Sequence, residues 1–465
     1  GTMNGVYALI ENNTDLIWAR PHREFGTVFS KRKDLEFLWG NDIVDVPDSR
    51  TRGWNGYQDL EWMARNRCNS FYGGAGGDIS WTNAKKRQYG IHVTRHYFGH
   101  NIGHFIPAKQ YYAEHPEYFS LIEFKDKKTK QTSLQRKPWN QYCFSNPEAK
   151  RIFTENALDM LRRAPEKIDL LTVDMDDTLN SCLCDQCMKP LALPDGTVVD
   201  SGDIAFRSTQ YFLFLNDVMQ AVNKEFPEMK IKTLAYFWTV IPPKCEVNPN
   251  IIPEFAVYPR PNDKAPLYHP ENRMYLDWLE GWAKKSKTID VYNYHGLGLE
   301  FPRPLSEPNA EDFKLFHKYT RGMSSEYPHN GDRDAKGGSA KIWDYSAMEF
   351  WVQTRLYWNP SQNVEQLRKY YIARTFREAA PAMEKFYGLI REAWLKSPAR
   401  SGIGASGAGS TKTYVIETGL EEKLRTCLDD AATQVKHPVS AELVKRVRDR
   451  FEEYLAQAKT PKKKK

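Results

Sequence analysis

The chain has 465 residues and a formal charge of +7, four of which lie in the terminal run Lys462 to Lys465. Without that tail the body is near neutral, so a nucleic-acid binder, which needs clustered basic surface, is not expected. Hydrophobic residues make up 41% and charged residues 27%, which excludes global disorder and provides a large core. No apolar run reaches the length of a transmembrane helix, so no membrane span is expected.

At about 150 residues per domain, the length suggests about three units or one large α/β barrel with additions. In chain order, short apolar strands alternate with amphipathic helices. The expected strands are Ile43 to Val46, Asn69 to Tyr72, Ile91 to Tyr97, Ile168 to Asp174, Ile231 to Phe237, Ile252 to Tyr258, Ile289 to Tyr294 and Gly322 to Glu326. Helices are expected around Gln58 to Arg65, Trp81 to Gln88, Pro147 to Arg163, Ile204 to Glu225, Asn272 to Lys285 and Asp312 to Tyr319. Ser145-Asn146-Pro147-Glu148 carries cap candidates, a first-turn proline and an early acid. Eight strands with mostly helical crossovers predict an α/β fold, a (β/α)8 TIM barrel, over residues 41–343. Residues 344–460 are predicted to be an all-helical C-terminal domain, with Trp343 to Trp358, Val364 to Ser397 (interrupted at Pro381) and Glu417 to Ala458 as its helices. Residues 461–465 read as a solvated basic tail.

In such barrels, chemistry collects where strands end and βα loops begin. Asp174, Asp176 and Asp177 stand within four residues at the end of the fourth strand, so mutual repulsion is expected to raise a carboxyl pKa. A raised carboxyl is what a general acid needs near neutral pH. A cation site or a loop cap is the competing reading. Glu326, ending the eighth strand, offers the second carboxylate that glycoside hydrolysis requires. Successive strand ends also bring Arg52 and Trp54, His96, Tyr236 and Trp238, Tyr258 and Arg260, and Tyr294 and His295. Aromatic faces beside polar groups suit sugar rings. His96, His100 and His104 are spaced by four, but Gly99 and Gly103 between them argue against a helical metal face.

Seven cysteines include the cluster Cys182, Cys184 and Cys187, with Cys143 as a fourth ligand candidate. Four thiolates form a closed, structural zinc site, so a structural Zn is one expectation and metal-free thiols the other. Catalysis is expected to need no cofactor.

His115-Pro116-Glu117-Tyr118-Phe119, Cys143 to Glu148, Asp177 with the following cysteines, and Arg355 to Pro360 resemble a bacterial family, domain of unknown function 4838, related to the α-glucuronidases of glycoside hydrolase family 67. The resemblance implies a TIM barrel with a C-terminal helical domain, preceded by a smaller α/β domain of which residues 1–40 would be the remnant and linker. It matches Asp177 to the acidic member of an Asn-Asp pair, whose partner here is Asp176, and a usual Tyr-Gly reads Phe376-Arg377. The expected function is an exo-acting glycoside hydrolase on a polysaccharide or oligosaccharide, with Asp177 as first choice for general acid, Asp176 as the competing candidate, and Glu326 as nucleophile, base or substrate-orienting group. A uronic acid would call on Arg52 or Arg260, whereas an N-acetylhexosaminide would use Asp176 to orient its acetamido group. The alternatives are a non-catalytic carbohydrate-binding barrel and a metal-dependent hydrolase. A periplasmic or secreted location is expected, with the leader not present in this chain.

Overall fold

The computed structural model describes residues 2–34, 45–55, 60–70, 83–91, 94–95, 99–138, 141–326, 340–400 and 402–460. Its centre is a curled parallel sheet of seven strands: β1 (Thr51–Asn55), β2 (Thr94–Arg95), β3 (Leu170–Thr172), β4 (Lys230–Ala235), β5 (Ile251–Ala256), β6 (Asp290–Asn293) and β7 (Gly322–Glu326). Their order is β1-β7-β6-β5-β4-β3-β2. Beyond β1 a parallel bridge joins Gly53 to Ser70. A Cβ on Gly53 would lie 1.7 Å from the Ser70 carbonyl oxygen, so only glycine permits this approach.

The first strand is Thr51–Asn55, not Ile43 to Val46, of which 43 and 44 lie outside the described residues. Residues 71–72 of the expected second strand are likewise outside them. The later strands fall where the apolar runs predict, because doubly covered parallel strands are apolar nearly throughout.

Helices α1 (Pro147–Arg162), α2 (Phe206–Glu225), α3 (Arg273–Lys285) and α4 (Ser306–Tyr319) make the crossovers. The Asn146 side chain accepts from the backbone N–H groups of Glu148 and Ala149, capping α1 as its sequence predicts. Helix α4 begins six residues before the predicted Asp312, since Pro308 falls in its first turn, where proline costs no hydrogen bond.

Strand alternation divides the sheet into two faces. On the convex face, Thr233 bonds the α2 hydroxyl of Tyr211 at 2.8 Å. On the concave face, buried Lys232 pairs with Glu254 at 2.6 Å and Asp290 at 3.4 Å, and Arg321 adds a contact to Asp290 at 2.7 Å. This ion cluster fills the floor of the curl.

The C-terminal region is helical: α5 (Ala340–Trp358), α6 (Val364–Phe376), α7 (Ala380–Lys396), α8 (Glu421–Gln434) and α9 (Pro438–Lys459). The segment read as one helix from Glu417 to Ala458 divides at Pro438, with His437 capping α9 through an acceptor for the Ser440 N–H. The N-terminal residues pack against this region. Arg355 pairs with Glu11 at 2.6 Å, and Arg20 with Asp344 at 2.6 Å, all four being buried.

Candidate active site at the carboxyl rim of the sheet

The acidic segment after β3 is held by two buried amides from neighbouring loops. Asn101 accepts from the Asp174 N–H at 2.8 Å and donates to the Thr172 carbonyl at 3.0 Å. Gln141 accepts from the Asp176 N–H at 3.2 Å and donates back to the Asp176 carbonyl at 2.9 Å. Neither amide stood out in the sequence, where nothing local marks a side chain that clamps a distant backbone.

Fixing the backbone sets three carboxyls in three environments. Asp174 is buried and accepts from the Leu234 N–H at 2.8 Å; burial and the nearby Glu254 push its pKa up to about 8. Asp176 is half-buried, and burial, opposed by His100 and assisted by Asp177, raises it to about 6. Asp177 is exposed and accepts a hydrogen bond from the Tyr236 hydroxyl at 3.2 Å. Two carboxyls are therefore raised: Asp174, shut in the interior, and Asp176, half-buried at the rim and one residue before the matched position.

Across the rim, Glu326 at the end of β7 accepts from the Tyr292 hydroxyl at 3.0 Å. Between the two carboxylates lies a phenol layer. Tyr258 and Tyr294 have ring centroids 4.9 Å apart, Tyr236 and Tyr258 5.7 Å, and Tyr292 and Tyr294 5.2 Å. Burial first, then neighbouring phenols and carboxylates including both Asp177 and Glu326, push the pKa values of Tyr236 and Tyr294 up and keep both phenols protonated. The two acids thus act on the same pair of rings. Tyr292 was missed in the sequence, although it stands two residues before Tyr294 and shares its face.

Other sequence candidates go elsewhere. Arg52 and Trp54 are buried on the convex face: Arg52 donates to the carbonyls of Ser49 and Arg67 and stacks on Trp358, and Trp54 packs edge-on to Phe350 of α5 at 4.9 Å. Trp238 packs against Tyr211 at 6.0 Å, behind the sheet. His295 is buried and bonds the Tyr357 hydroxyl at 2.8 Å; burial, with Arg260 and Arg303 nearby, lowers its pKa to about 3 and keeps it neutral. Arg260 is paired with Asp312 at 2.6 Å. His96 lies outside the described residues. His100 bonds the Met175 carbonyl at 2.8 Å beside the acidic segment.

The cysteines converge as predicted. The Sγ atoms of Cys143, Cys182, Cys184 and Cys187 all lie within 4.8 Å of one another, and three of the four residues are buried. Cys143 approaches Cys184 at 3.6 Å and Cys187 at 3.5 Å. Four sulfurs around a tetrahedral zinc with bonds of about 2.3 Å stand about 3.8 Å apart, so the set fits. The Leu121 N–H points to Cys182 Sγ at 3.4 Å, and the thiols of Cys143 and Cys187 hold the Cys182 pKa down. The charges of Arg136 and Arg207 are felt at the sulfurs, as a dianionic four-thiolate centre would need. The cluster can hold a metal.

The family described as domain of unknown function DUF4838 matches residues 27–388. The chain belongs to this family. The DUF4838 match begins in the N-terminal segment, spans the whole sheet and ends within α7. None of the curated proteins matches the chain.

Proposed function

We propose that this DUF4838 protein is a glycoside hydrolase whose sheet closes into a (β/α)8 barrel, with its chemistry at the rim formed by the loop after β3 and the end of β7. The observation carrying the reading is that Asp177 and Glu326 each accept a hydrogen bond from one phenol layer, with a raised carboxyl, Asp176, beside them. The tyrosine faces give a sugar ring an apolar platform, and their hydroxyls hold the carboxylates in place. Asp176 is the proton donor to the leaving oxygen, since a carboxyl titrating near 6 is still partly protonated at neutral pH. Asp177 orients the ring or an attacking group, and Glu326 serves as base or nucleophile. Arg52 and Arg260 are committed to internal partners, so recognition of a uronic acid through either would cost an existing interaction.

The four cysteines hold a structural zinc, pinning the loop that follows Asp177 to the strand starting at Leu121. Leu183 N–H bonds the Leu121 carbonyl at 2.8 Å in the same junction.

The test is a pH–rate profile on a panel of aryl glycosides and oligosaccharides. The wild type should lose turnover as pH rises through about 6, and Asp176→Asn should remove that limb. Turnover by Asp176→Asn with an unchanged profile would remove Asp176 as the donor. Binding of glycans without release of any sugar would replace the enzyme by a carbohydrate-binding barrel.

A further inference from the structure

His100, one of the three histidines spaced by four, takes no part in the chemistry above, yet its loop is laced to the acidic segment residue by residue. His100 Nδ1 bonds the Met175 carbonyl at 2.8 Å, and the Asn101 amide donates to the Thr172 carbonyl at 3.0 Å. The Ile102 N–H donates to the Asp174 carbonyl at 2.9 Å. Asn101 and Ile102 are buried, whereas His100 is exposed, so its ring adds little to the core.

The backbone of His100 is left-handed, with φ at 61°. Glycine takes that conformation freely and stands next door as Gly99, whereas an L side chain takes it at a cost. A histidine in such a place, with its ring outside the core, points to a use for the ring itself.

A carbonyl oxygen only accepts, so the bond to Met175 needs a proton on Nδ1, and the ring gains or loses its other proton at Nε2. The imidazole therefore keeps its seat in both charge states. The titratable groups about it are Asp176 and Asp177 of the same segment and, from the end of β4, Tyr236, whose ring centre lies 6.1 Å away. Asp174 is turned to the Leu234 N–H. The positive charge of His100 opposes the burial and the Asp177 charge that raise Asp176.

We propose that His100 is a positioning residue for Asp176: its imidazole, seated on the peptide that leads into Asp176, holds a switchable positive charge beside that carboxyl. The part of Asp176 as proton donor rests on the proposed hydrolase; the pairing of the two side chains does not. A protonated ring favours the Asp176 carboxylate, and a neutral ring lets Asp176 keep its proton to higher pH, so the two titrate as a pair.

The test is a carboxyl-carbon NMR titration of the full chain labelled at its aspartates, with the Asp176 signal identified by its absence from Asp176→Asn. The Asp176 midpoint should rise by about half a pH unit or more in His100→Asn and in His100→Gly. Both replacements accept the left-handed backbone, so either decides the matter if the other does not fold. A midpoint that stays or falls in the folded variants would overturn the proposal, since a ring that merely holds or covers the segment gives that result. Sugar release by the same preparations is read separately. In a hydrolase the alkaline limb of the pH–rate profile should move up with the midpoint. A raised midpoint in a protein that releases no sugar supports the pairing while removing the hydrolase.

Discussion

Tyr236, at the end of β4, donates its hydroxyl to Asp177, in the loop after β3, across 3.2 Å. The bond links two strand ends at the rim and turns an exposed aspartate into a fixed one. A hydrogen bond to a charged acceptor contributes about 1.5–3 kcal/mol. Tyr236→Phe should lower kcat/KM by about tenfold or more, while the melting temperature falls by only a few degrees, because the ring stays and water takes the lost donor's place at exposed Asp177. Steady-state kinetics beside calorimetry checks this, and equal losses in both would make Tyr236 merely structural.

Asp176 also leaves a mark on stability. Its folded pKa, about 6, lies above the 3.8 of an unperturbed aspartate, so the folded state binds the proton more tightly than the unfolded one. The stabilisation is complete below the unfolded value and is lost as pH rises through about 6. Asp176→Asn should therefore raise stability above pH 7 by about 1 kcal/mol, after discounting for solvent screening, and the gain should vanish near pH 4. Urea unfolding at the two pH values measures it.

The ion cluster on the floor of the curl should be much less forgiving. Lys232 neutralises Glu254 and Asp290 in a setting where all three are buried. Lys232→Met leaves two carboxylates facing one remaining cation, Arg321. A loss of about 3–5 kcal/mol is expected in urea unfolding, and a double change with Glu254→Gln should recover part of it.

For the thiolate site, the purified protein should carry one zinc per chain by elemental analysis, and Cys143→Ser should lose it. The melting temperature should fall with the metal, and activity below the new melting point should remain within a few-fold of wild type. Activity that vanishes on chelation with the fold intact would instead place the metal in the chemistry.

Much of this architecture was legible in the sequence. The runs at 168–174, 231–237, 252–258 and 289–294 could be read because parallel strands covered on both sides are largely apolar, whereas Gly322–Glu326 (Gly-Met-Ser-Ser-Glu) is no apolar run. The same property hid the facing of individual residues. In Tyr294-His295 adjacent residues go to opposite sides, so Tyr294 reaches the concave face while His295 packs behind it; after Tyr236 the strand gives way to the 3-10 turn Phe237–Val240, which keeps Phe237 beside Tyr236 and turns Trp238 back against Tyr211. Counting by two from Glu326 and Tyr294 would have found Ser324 and Tyr292. Cys182, Cys184 and Cys187 were visible because their metal-ligand spacing is local, and Cys143 because such a site calls for a fourth thiolate; nothing comparable marks Gln141 and Asn101, whose acceptors lie 35 and 71 residues away. The expected first strand failed for a related reason: Thr51–Asn55 contains arginine, glycine and asparagine, and its burial comes from α5 and from the bridge to Ser70.

The most direct measurement is sugar release from a broad oligosaccharide panel by the wild type and by Glu326→Gln, with both shown to be folded. The wild type should release a monosaccharide from chain ends, and the variant should lose at least about a thousandfold, in line with removal of a catalytic group. Equal release by the two proteins, or none by the wild type on any glycan, would contradict it.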